Sequence, residues 1–170
     1  MAEALECVML NGRATAGRNR PAGEGRIVMP RINLKGVVIG GLLAGLIINI
    51  SETILNIPVL GAQFEAAMKA LNLPPPGNGP ISVFVIGGFV LGLLLVWFYA
   101  AIRPRFGAGP RTAIIAAIVF WFLAYFWPSL GTGLMGFVPM KLLSVAVVWG
   151  LAEVIIAALA GAAVYKESSS

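Results

Sequence analysis

Few residues in this chain can do chemistry, and the most notable ones lie in its most apolar stretches. Glu52 and Glu153 each interrupt a long run of hydrophobic residues. Burying a carboxylate in hydrocarbon costs roughly several kcal/mol, so intramembrane ionisable groups face protein or a water-filled space. Around Glu52, the residues Gly41, Gly45, Asn49, Glu52 and Asn56 recur at steps of three and four and share one helical face. Around Glu153, the residues Ala146, Gly150, Glu153, Ala157 and Gly161 do the same. Small residues at this spacing let helix backbones approach closely, and polar side chains among them can hydrogen-bond across the contact. Asn49, Glu52, Asn56 and Glu153 are therefore the candidate intramembrane polar site. Two chemistries fit it: ties between helices, or handling of protons, cations or a cationic ligand.

Other chemistry is excluded by what is missing. The chain has no His, no Asp and a single Cys, Cys7. Haem ligation by His, iron–sulfur clusters, ordinary zinc sites and a Ser-His-Asp triad all require absent residues. No catalytic residues, cofactor or metal are expected. The segment Gly131-Thr132-Gly133-Leu134-Met135-Gly136 matches GxGxxG, but no strand precedes it, so it reads as a flexible turn. Asn49-Ile50-Ser51 matches the glycosylation triplet but lies inside a helical run.

The elements that position these groups follow from composition. Of 170 residues, 59% are hydrophobic and only 11% charged. A soluble domain carries about 25% charged residues. A membrane helix needs about 20 mostly apolar residues. Four runs qualify, at about 36–57, 81–102, 112–130 and 140–165, with Pro58 and Pro128 expected to mark exits. The expected fold is all-α: a polytopic membrane four-helix bundle spanning 31–166, followed by a tail at 167–170. Phe64, Ala67, Met68 and Leu71 recur at helical spacing and predict a short interfacial helix between the first two runs.

Net charge is +5, yet the basic residues sit at run ends, where they signal topology rather than nucleic-acid binding. Arg31, Lys35, Arg103, Arg105, Arg111 and Lys166 fall on alternate connections and so on one side. That side is expected to be the cytoplasm, with both termini in it. Arg103, Arg105 and Arg111 are also candidate contacts for anionic lipid headgroups.

At ~1.5 Å per residue, Glu153 lies ~20 Å from the level of Lys166 and Asn49 ~21 Å from that of Lys35. The first and last helices are thus expected to pack together, with Asn49 hydrogen-bonded to Glu153. Residues 1–28 are rich in Gly, Ala and Arg without periodicity. The stretch ahead of the domain, about 1–30, reads either as a disordered cytoplasmic tail or as an extension upstream of a true start at Met29. Glu24-Gly25-Arg26 can be encoded by a purine-rich ribosome-binding stretch.

The loop Arg103-Pro104-Arg105-Phe106-Gly107-Ala108-Gly109-Pro110, with Gly150-Leu151-Ala152-Glu153, resembles small four-helix bacterial inner-membrane proteins across residues 29–166. The resemblance implies location and fold and carries over no functional residue. The expected role is a non-catalytic accessory or scaffold component of the bacterial inner membrane, with the lipid bilayer as partner, alone, as a homo-oligomer or in a larger complex. The alternative is a small proton- or cation-coupled transporter or channel-like protein using Glu52 and Glu153.

Overall fold

The computed structural model describes residues 32–166, and no strand occurs among them. The first span is α1 (Leu34–Ile54), continued by a π-helical turn (Leu55–Val59). A short helix, α2 (Gly61–Ala70), follows, then the second span, α3 (Asn78–Phe106). The third span is broken into α4 (Pro110–Trp121), a second π turn (Phe122–Phe126) and α5 (Trp127–Leu134). The fourth is α6 (Met140–Val164). Four helices, Leu34–Val59, Asn78–Phe106, Pro110–Leu134 and Met140–Val164, are long and apolar enough to cross a membrane. Helices satisfy their own backbone polar groups, which is what hydrocarbon demands.

Local chemistry sets the ends at one pole of the molecule. Asn33 caps α1, its Oδ1 accepting from Gly36 N at 3.2 Å. Gly107, with φ 85°, stops α3, and its N–H donates to the Arg103 carbonyl at 2.8 Å. Pro110 opens α4 at a first-turn position where no N–H is missed. The basic loop is therefore shorter than its sequence implies. Arg103 to Phe106 remain helical, and only Gly107, Ala108 and Gly109 lie between the helices.

At the other pole Pro58 does mark the exit of the first span, which ends at Val59, whereas Pro128 does not end the third. Pro58 lies inside the first π turn, where Leu60 N reaches back five residues to the Leu55 carbonyl at 2.8 Å. Pro128 follows the second π turn directly and sits in the first turn of α5. A proline ring clashes with the carbonyl four residues earlier, and widening the turn to π spacing relieves that clash while the helix continues. The third span consequently extends past 130 to Leu134, so that Gly131 and Gly133 of the expected flexible turn are helical; the turn itself follows. The predicted short helix is present as α2, outside the spans. Its exposed Lys69 pairs with Glu65 at 2.7 Å and holds that carboxyl below its usual range.

Packing runs through small residues. On α1, Gly41 and Gly45 face Leu93 and Phe89 of α3, and a Cβ added at Gly92 would strike the backbone of Gly45. The neighbouring face of α1 meets α6: a Cβ at Gly40 would come within 2.6 Å of the Gly161 carbonyl oxygen. Ala44, Ile48, Val96, Val154 and Ala157 fill the core between these helices, all at most 2% exposed. The first and last spans do pack together, but through Gly40 and Ala44 rather than through the expected stripe of Gly41, Gly45 and Asn49.

Candidate functional site

The polar centre forms where the end of α1, the second π turn and the middle of α6 approach. Gly150 of α6 offers no side chain, and the Tyr125 ring lies over it so closely that a Cβ there would collide with the ring. The π turn Phe122–Phe126 carries Tyr125. From this position its hydroxyl reaches Glu153, one helical turn along α6, and donates to Oε1 at 2.5 Å. Glu153 is 3% exposed. The same hydroxyl lies within reach of the Glu52 carboxyl on the first span. One tyrosine thus stands between two carboxyl groups from different spans.

Each carboxyl has further neighbours. Asn56 Nδ2 donates to Glu52 Oε2 at 2.7 Å and to the Glu52 carbonyl at 2.9 Å. Ser51 Oγ lies beside Glu153 and accepts a 2.9 Å hydrogen bond from Trp149 Nε1, tying α1 to α6. Trp121 Nε1 donates to the Val147 carbonyl at 2.8 Å, tying α4 to α6. Among the described residues, neither carboxyl has a cationic partner at ion-pair distance. No group of three His, Cys, Asp or Glu side chains occurs among them that could hold a metal ion.

The four residues chosen from sequence are partly brought together. Glu52 and Asn56 are bonded to each other, and Glu52 and Glu153 flank Tyr125. Asn49 is not part of the group. Its Nδ2 donates to the Gly45 carbonyl at 2.8 Å, and its side chain packs on Gly88 of α3. The expected Asn49–Glu153 hydrogen bond is not made. The reason is helical phase: Gly41, Gly45 and Asn49 line the α3-facing side of α1, while Gly40, Ala44, Ile48 and Ser51 turn toward α6, about one residue, or 100°, away.

Sequence reasoning missed Tyr125, Ser51 and Trp149 as participants. Tyr125 stood in an aromatic cluster whose composition is the same whether its rings face lipid or protein. Its signal was Gly150, a missing side chain one turn before a buried acid.

At the opposite pole, Arg103, Arg105 and Arg111 are dispersed in role. The Arg103 guanidinium lies over the Tyr165 ring at 5.6 Å, whereas Arg105 and Arg111 are exposed. Compared with protein-family models, curated proteins and solved structures, the chain has no match in any of the three.

Proposed function

We propose that the chain is a multi-pass protein of the bacterial inner membrane, a four-helix bundle with both termini cytoplasmic. It works there as a non-catalytic accessory or scaffold component. The observation that carries this reading is the use of polar groups within the spans. Tyr125 to Glu153, Trp149 to Ser51 and Trp121 to Val147 each join two spans and commit those side chains to holding helices together. Interhelical hydrogen bonds of this kind act as glue in membranes. Arg105 and Arg111, with Arg103, would sit at anionic headgroups, each adding about 1 kcal/mol of attraction. A second copy or a larger complex supplies the partner.

A second reading, proton- or cation-coupled transport, is favoured by one observation: Glu153 Oε2 is buried and accepts no hydrogen bond. The two readings separate in one experiment. Purification from native membranes in mild detergent should recover a stable homo-oligomer or complex. Reconstituted vesicles carrying a pH gradient should show no flux. Flux that Glu52→Gln or Glu153→Gln abolishes, in a protein that still folds, would overturn the accessory role.

A further inference from the structure

A groove of about 680 Å³ runs along α6 beside the first span. Its walls are mostly apolar, from Val145, Val148, Ala152 and Ile156, with Trp149 among them. Three polar residues break this lining, Ser51, Ser144 and Glu153; the Ser144 hydroxyl is turned back to the Met140 carbonyl at 2.8 Å. The oxygens of Glu153 are unequal. Oε1 is occupied by the Tyr125 hydroxyl at 2.5 Å. Oε2 is buried without any hydrogen-bond partner, with the Ser51 hydroxyl beside the carboxyl. A side chain retained only as helix glue gains most when both oxygens are satisfied, since a buried unpaired acceptor costs about 1–3 kcal/mol. The vacant oxygen lies just behind the wall of an apolar groove, and as a carboxylate oxygen it accepts.

We propose that this groove is a binding site for a lipophilic ammonium ion, its N–H donating to Glu153 Oε2 and its apolar body lying along α6. The chemistry of the walls selects that class. A carboxyl oxygen without a donor favours a ligand that brings one, and a charge-assisted bond is the stronger form. The Trp149 indole in the same wall adds a π surface that attracts cations. Valine, alanine and isoleucine exclude a small hydrated cation and favour an alkyl or aryl body. A modest rotation of the Glu153 side chain would bring Oε2 to the groove. The proposal needs only that the chain sit in a bilayer. It holds whether or not the protein is also a scaffold.

Equilibrium dialysis of radiolabelled dodecylammonium against the full chain in phosphatidylcholine nanodiscs, with empty discs subtracted, tests the site. Saturable binding of one ammonium per chain is expected. Glu153→Gln should weaken it by at least about tenfold, the loss expected for a hydrogen bond to a charged group. Because that variant also disturbs Tyr125, Ala152→Phe provides a second probe. Residue 152 is exposed in the groove wall, so the larger side chain should block binding while thermal stability in detergent is kept. Gly87→Ala, on α3 where an added Cβ meets nothing within 4 Å, should bind like the wild type. Non-saturable uptake, unchanged binding in both Glu153→Gln and Ala152→Phe, or equal binding of uncharged dodecanol would each overturn the proposal.

Discussion

The two poles of this molecule are held together by different means. At the pole where Asn33 and Lys166 meet, contacts are dense and directional. Asn33 Nδ2 donates to the Lys166 carbonyl at 2.8 Å, and its backbone N–H donates to the Tyr165 hydroxyl at 3.1 Å. Tyr165 meets Tyr99 edge to face at 6.0 Å. The Tyr99 hydroxyl accepts from Gly109 N at 3.2 Å, and Thr112 Oγ1 donates to the Gly107 carbonyl at 2.7 Å. At the other pole the helices part. The first turns of α3 find no helix to lean on, and Phe84 is 78% exposed. There the spans are joined through side chains that reach across: Tyr125 to Glu153 and Trp149 to Ser51. Backbones in contact leave little room for a ligand. Helices held apart by side chains create both a groove and a buried acid with an oxygen to spare.

This contrast can be tested, beginning with the largest expected effect. Gly92 and Gly87 lie in the same helix. A Cβ at Gly92 would meet the α1 backbone, and one at Gly87 would meet nothing within 4 Å. Gly92→Ala should therefore cost about 3 kcal/mol, because backbone atoms cannot step aside as a flexible side chain can. Gly87→Ala should cost nothing. Unfolding of both variants in detergent micelles, followed by circular dichroism, checks the pair, and similar losses would erase the distinction between the two halves of α3. Tyr125→Phe should lose about 2 kcal/mol, since it removes the donor to Glu153 and leaves both carboxyl oxygens unpaired. The same unfolding measurement applies. A loss below that of an ordinary surface substitution would mean that Tyr125 does not tie α6 to the third span. Asn33→Ala should cost least, about 1 kcal/mol, through the lost cap and the lost bond to Lys166. If it proved more damaging than Tyr125→Phe, the weight of the fold would rest on the clasped pole instead.

Much of the architecture was legible because a bilayer leaves few options. Four apolar runs of sufficient length give four long helices. The assignment of stripes to neighbours was not legible. Gly40-Ala44-Ile48 and Gly41-Gly45-Asn49 lie side by side on one helix, each beginning with two small residues, and only the tertiary packing decides which helix each meets. Pro128 read as a terminator, as Pro58 rightly did, because the sequence states the missing N–H but not whether a π turn will absorb the clash. Glu52 and Glu153 stood out through the cost of burying charge. Tyr125 did not, since an aromatic residue in an apolar run needs no explanation until its hydroxyl is seen to have a partner.

The clasp at Asn33 also constrains how the protein is made. The groups that complete the start of α1 lie 132 and 133 positions further along the chain. When the first span enters the membrane during synthesis, those partners have not yet been translated. Asn33 caps the first helix locally through Gly36, but its own N–H and Nδ2 must wait until Tyr165 and Lys166 arrive. Assembly at this pole is therefore a closing step, and a released chain truncated before residue 165 would lack the fastening that joins its two ends.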